Sequence, residues 1–121
     1  MPLPFLDQQF YRDEHLFVHL CHQVVMLDGE TVPLHPIEYR LLALLVKHAG
    51  EVVPRAIILK QIWGDAPDIP RRRADPHIRG LRKKLAVYGD QYIEMVIGIG
   101  YRFRPLHGLR HEGPPGADAL N

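Results

Sequence analysis

Cysteine is almost absent from this 121-residue chain: Cys21 stands alone, so no disulfide can close within it. That fits a reducing compartment, and a cytoplasmic location is the expectation. Long apolar runs are missing too. The longest, Leu41 to Val46, is far shorter than a membrane span. The opening residues MPLPFLDQQFYRDEH carry no basic stretch and no apolar core, so no secretory leader is expected. Enzyme signatures are lacking as well. HExxH, GxSxG and the phosphate-binding P-loop do not occur, and the carboxylates are scattered. No catalytic residue, cofactor or small-molecule substrate is therefore expected. His15, His19, Cys21 and His22 are of metal-ligand type. Yet His15 and Cys21 would stand about 20 Å apart along a strand. Adjacent pairs offer only two ligands, so no metal site is expected.

What is present is ordinary globular material, with 46% hydrophobic and 24% charged residues. The length suits one domain with its own core. The net charge of +1 conceals an asymmetry. Residues 1–54 hold three Lys/Arg against seven acids, whereas residues 55–104 hold eleven against five. Such segregation suggests a face for an anionic partner, although a merely solvated basic helix would give the same count.

Along the chain, residues 1–14 have no clear period and read as a flexible arm. Leu16, Val18 and Leu20 alternate, as do Val25 and Leu27, and Asp28-Gly29 is a hairpin signal. A small antiparallel sheet is expected there. Pro36 opens a first helix, with Glu38 placed as a capping carboxylate and Gly50 as the stop. Ile58, Leu59, Ile62 and Trp63 stripe a second helix that starts at Val53-Pro54 and closes at Gly64. The stretch DAPDIP (65–70) is a loop. A third helix over about 71–87 buries Ala74, Ile78, Leu81 and Leu85. Strands from Tyr92 to Ile97 and from Tyr101 to Phe103 flank the turn Gly98-Ile99-Gly100. Residues 105–121, rich in glycine and proline, read as a disordered tail. The expected fold class is α+β: an N-terminal antiparallel sheet, three helices and a C-terminal hairpin wing over residues 15–104. Helix, loop, helix, hairpin is the layout of a winged helix-turn-helix.

The third helix carries the chemistry. Residues 71–84 contain seven Lys/Arg and one acid, Asp75. With 100° per residue, the face opposite the apolar stripe carries Arg72, Pro76, Arg79, Gly80 and Lys83. Arg73 and Lys84 flank it, while Arg82 and His77 sit nearer the core edges. A helix fits the DNA major groove, where arginine and lysine meet phosphates or guanine edges. Exposed helices without a polyanionic partner ordinarily mix their signs.

The stretches LDGETVPLHPIEYRLLALLVKHAGEVV (27–53), ILKQIWG (58–64), DPHIRGLRKKL (75–85) and VIGIGYRF (96–103) together resemble the OmpR/PhoB-type effector domain of bacterial response regulators. The resemblance covers residues 15–104. It implies a DNA-binding transcriptional regulator of two-component type, with the third helix in the major groove and the hairpin at the adjacent minor groove or backbone. The DNA-contacting set would be Arg71, Arg72, Arg73, His77, Arg79, Arg82, Lys83, Lys84 and Arg102. The loop bearing Trp63, Gly64, Asp65 and Asp68 would touch RNA polymerase, and tandem dimers on direct repeats are implied. A phosphoacceptor receiver domain, usual in the family, finds no room in these residues.

Four positions depart from the pattern. Pro76 replaces an aliphatic groove residue. Deep in a helix proline costs about 3 kcal/mol, so regular helix is expected to begin at Pro76, with Asp75 as N-cap and 71–75 as an irregular or 3₁₀ lead-in; the alternative is one continuous, bent helix from 71. Gly80 stands where relatives place a base-reading cation. Met95 and Ile97 replace polar and arginine residues of the wing. Pro54 and Ala56 replace a capping pair. The first three remove base or groove contacts, so phosphate-led binding with weak readout is expected. The competing expectation is a winged-helix interaction module that docks on polymerase or another regulator and has lost specific DNA binding.

Overall fold

The structure, a computed structural model, describes residues 3–106 together with the backbone of 110–111. The first sheet begins earlier than expected. Strands β1 (Phe5–Leu6), β2 (Phe10–Arg12), β3 (Leu16–His19), β4 (Val25–Leu27) and β5 (Glu30–Thr31) run antiparallel in sequence order. The expectation of a flexible arm over 1–14 is thereby corrected for the residues described. Asp7 makes the turn, accepting the backbone N–H groups of Gln9 and Phe10 at 2.7 and 2.9 Å. Tyr11 is then driven into the core, where it is wholly buried. Strands of two and three residues are too short for a period to register.

Asp13 fastens this sheet to the rest of the molecule. Its buried carboxylate accepts the Tyr11 hydroxyl at 2.6 Å, the Tyr92 hydroxyl at 2.8 Å, and the backbone N–H groups of His15 and Leu16 at 2.8 Å. Four donors satisfy an acid that would otherwise be costly to bury. Burial, and then the bond to Asp13, push both tyrosine hydroxyls well above their ordinary range. Phe103 stacks on Tyr92 and meets Tyr11 edge-on, sealing the cluster.

Helix α1 (Pro36–Lys47) follows, its first turn fixed by Glu38 accepting the His35 N–H at 2.8 Å. Leu41, Leu42, Leu45 and Val46 are fully buried. Truncating any one of them would cost about 2–5 kcal/mol. After Gly50, whose φ of +86° ends the helix region, the short strand β6 (Val52–Pro54) leads into α2 (Arg55–Trp63). Gly64 closes α2 at φ +76°. Turns then lead to α3 (Asp75–Lys84), a 3₁₀ turn (Ala86–Tyr88) and a single turn α4 (Gly89–Tyr92). The third predicted helix is therefore shorter than 71–87 at both ends.

The terminal hairpin is β7 (Ile93–Val96) and β8 (Gly100–Phe103), and β6 pairs with β8 to make a three-stranded sheet ordered β6-β8-β7. The strand β6 had no counterpart in the sequence reading, because Val52–Pro54 reads equally well as a helix start. Arg110–His111 forms β9, parallel to β1, which corrects the disordered tail at those two positions. Leu106 also packs on the core. The remainder of the expected tail lies outside the described residues. Helix α1 lies against α2, α3 and β8, so α3 is held from below with its other side open.

Candidate nucleic-acid interface

The approach to α3 is built from tight turns. Arg73 N–H donates to the Pro70 carbonyl at 3.0 Å and Asp75 N–H to the Arg72 carbonyl at 3.1 Å, the i→i−3 pattern of a 3₁₀ lead-in. Pro76 falls in the first turn of α3, where its missing N–H has no partner to lose. The lead-in expected from Pro76 is thus present. The cap is not: Ala74, buried against the core, occupies the N-cap position, and Asp75 is already helical.

Asp75 is turned to another task. Both its carboxylate oxygens accept from Arg55 Nη2, at 3.1 and 3.2 Å, and Oδ1 also accepts the Tyr101 hydroxyl at 2.8 Å. The Arg55 guanidinium lies over the Tyr101 ring at 5.5 Å. The hydrogen bond to Asp75 holds the arginine firmly in its charged form, pushing its pKa up. One carboxylate therefore locks the starts of α2 and α3 and the hairpin into a single unit. Arg55 escaped the sequence reading. The only signal was Asp75 itself, a lone acid in a basic run, and nothing named its partner.

The predicted cations divide into two groups. Arg71, Arg72, Arg73, Arg79 and Lys83 are exposed and make no salt bridge among the described residues. Pro76, Arg79 and Lys83 follow one another at helical spacing on the open side of α3. Arg73 and His77 both lean on Trp63, the guanidinium 5.9 Å and the imidazole 5.8 Å from its ring. Trp63 itself is half-buried and packs on the core, while Gly64, Asp65 and Asp68 are exposed.

The other three cations are engaged by partners within the molecule. Arg82 donates from Nε and Nη2 to the Ile93 carbonyl at 3.0 and 2.7 Å, tying α3 to β7. Lys84 Nζ lies 2.6 Å from Glu38 Oε1, a carboxylate only 4% exposed on α1. Burial pushes the Glu38 carboxyl up, but Lys84 and the His35 N–H outweigh it and hold the group below the usual carboxylate range. Arg102 pairs with Glu94 directly across the hairpin, and Arg104 adds a 3.7 Å contact to the same acid.

Gly80 requires a correction. The helical wheel sets it on the outward face, yet the structure turns it to α1. A Cβ there would lie 2.7 Å from Glu38 Oε2. The glycine is a packing residue that leaves room for the Glu38–Lys84 pair, and the missing side chain removes nothing from the open face. The wheel erred because the buried sector of α3 is wider than its apolar stripe and includes an ion pair.

These elements, in this order and with this cationic helix beside a hairpin, coincide with a known family. A family model described as "Transcriptional regulatory protein, C terminal" matches residues 29–103. The chain belongs to this family of OmpR/PhoB-type DNA-binding domains. Among curated relatives, the phosphate regulon transcriptional regulatory protein PhoB of Pseudomonas aeruginosa is 38% identical over 84 residues, covering 69% of this chain and 36% of that protein. The response regulator PmrA of the same organism is 40% identical over 80 residues, covering 66% of this chain and 34% of that protein. The chain thus spans about a third of the length of these relatives. Among solved structures, the Klebsiella pneumoniae RstA DNA-binding domain in complex with the RstA box superposes with a TM-score of 0.71 at 32% identity, over 81% of this chain and 99% of that one. The Thermotoga maritima response regulator DrrB gives a TM-score of 0.71 at 29% identity, over 78% of this chain and 44% of that one. These likenesses bear out the winged-helix fold with its N-terminal sheet and C-terminal hairpin. The relatives are transcriptional regulators. Among the described residues no helix is long and apolar enough to cross a membrane.

Proposed function

We propose that this OmpR/PhoB-type domain holds double-stranded DNA chiefly by its phosphates, with α3 in the major groove. The supporting observation is the division of cations. Among the described residues Arg71, Arg72, Arg73, Arg79 and Lys83 make no salt bridge, while Arg82, Lys84 and Arg102 are engaged within the molecule. Free cations cost least to bring against a polyanion, because no internal pair has to break first. His77, set against Trp63 beside Arg73, joins the contact edge. Arg79 and Lys83 are taken up by phosphates, and Pro76 on the same open face offers no donor to a base edge. Modest sequence selectivity and strong dependence on salt follow.

The exposed loop residues Gly64, Asp65 and Asp68 are a separate surface beside Trp63, and their acidity does not suit DNA. They are the place for a protein partner such as RNA polymerase. Tandem pairing of copies along the duplex is compatible with this arrangement.

The test is a gel shift on random-sequence duplex with the charge reversals Arg79→Glu and Lys83→Glu together. Both side chains are exposed, so folding should be unaffected, as thermal melting would check. Binding should fall at least a hundredfold, since two phosphate contacts become repulsions. Undiminished binding would remove α3 from the interface, whereas failure of the wild type to bind any duplex would favour the interaction-module reading.

A further inference from the structure

The hairpin tip is apolar and packs beside the start of α2. Met95, Ile97 and Ile99 are 44%, 86% and 51% exposed. Scattered exposed hydrophobics need no explanation, but three within five residues on one rigid tip form a patch. The tip is pinned on several sides. Ile99 N–H donates to the Val96 carbonyl at 3.0 Å, and the Ile99 carbonyl accepts the Arg55 N–H at 3.0 Å. Gly100 packs so tightly on β6 that a Cβ would lie 2.0 Å from the Val53 carbonyl oxygen.

The side on which these residues stand follows from the ladder. Met95 pairs with Tyr101, and cross-strand partners share a face. Tyr101 bonds Asp75 at the start of α3. Met95 therefore stands on the hairpin face from which Tyr101 reaches the start of α3, and Ile97 and Ile99 in the turn extend the apolar surface to the tip. Arg102 and Glu94 occupy the opposite face and neutralise each other. Among the described residues the hairpin cations Arg102 and Arg104 are paired with Glu94, and the tip offers apolar surface instead.

We propose that Ile97, flanked by Met95 and Ile99, is an apolar wedge that enters the minor groove beside α3 and opens a base step, bending the duplex. This rests on the DNA-binding reading above. Its occupant is the duplex because the hairpin that carries the patch is locked through Tyr101 and Asp75 to the start of the cationic helix. Apolar side chains on a stiff support are the means by which proteins unstack a step and kink the helix. Isoleucine, branched at Cβ, keeps few rotamers and makes a firm wedge. Flexible pyrimidine–purine steps would be favoured, giving selectivity without base hydrogen bonds.

The experiment uses the full chain and duplexes of about 20 base pairs carrying 2-aminopurine beside a central TA step and dyes at both ends. Binding of the wild type should raise 2-aminopurine fluorescence and bring the ends closer. Ile97→Ser, at a position too exposed to disturb folding, should bind about tenfold more weakly. It should also lose the fluorescence rise and keep the salt slope, whereas Ile97→Met should retain all three. If the wild type binds without unstacking or bending and Ile97→Ser binds equally well, the wedge is wrong while the phosphate-led reading survives. If the wild type binds no duplex, both fall. If sedimentation shows that Ile97→Ser instead dissolves a DNA-free dimer, the tip belongs to a second copy and the wedge is overturned.

Discussion

Glu38 decides the character of two other positions. It is buried, paired with Lys84, bonded to the His35 N–H, and in the space a Gly80 side chain would need. Gly80→Ala gains about 1 kcal/mol of helix propensity but must displace a carboxylate anchored at two points. A net loss of about 1–2 kcal/mol is expected in urea denaturation, since a displaced buried charge forfeits its partners. The loss should shrink in a Glu38→Ala background, where nothing remains to be displaced. The same residue sets a pH dependence. Its folded-state pKa is depressed, so its contribution is present above the ordinary carboxylate value and is lost as pH falls through the lower, folded value. Melting temperatures of wild type and Glu38→Gln should differ at neutral pH and converge as the solution is acidified below about pH 4.

Among the elements, those with a strong period or a forced turn were legible from the sequence, and those defined by a remote partner were not. Pro36 and Glu38 announce α1, Gly64 ends α2, and the Gly98 turn marks the hairpin with φ +80°. The strands β1 and β2 were hidden because Tyr11 and Asp13 become core only through Tyr92, 79 residues from Asp13. The basic helix was legible as a helix and as a cluster of charge. Which cations stay free was not, for Lys84 is claimed by an acid 46 residues away and Arg82 by the Ile93 carbonyl. At this scale Asp75 is the testable joint. Asp75→Asn keeps the shape but leaves Arg55, whose Nε already lacks a partner, with an uncompensated charge. A stability loss of about 2–4 kcal/mol is expected by chemical denaturation, because breaking one side of a buried pair costs more than the pair contributes. Weaker DNA binding should accompany it as α3 and the hairpin lose their common anchor.

Over the whole molecule, charge is sorted by work. Acids of the first half and of the hairpin hold the fold together through Asp13, Glu38 and Glu94. Among the described residues, five cations without an ion pair, Arg71, Arg72, Arg73, Arg79 and Lys83, gather on and just before α3. Binding energy drawn from released counterions follows, and it carries a signature that contacts to base edges alone would not give. The decisive measurement is the logarithm of duplex affinity against the logarithm of salt concentration, for wild type and for Arg79→Ala with Lys83→Ala. Engagement of four or five phosphates should give a wild-type slope near −4, and the double substitution should flatten it by about 2. A shallow wild-type slope, or one that the double substitution leaves unchanged, would contradict a phosphate-led interface on α3.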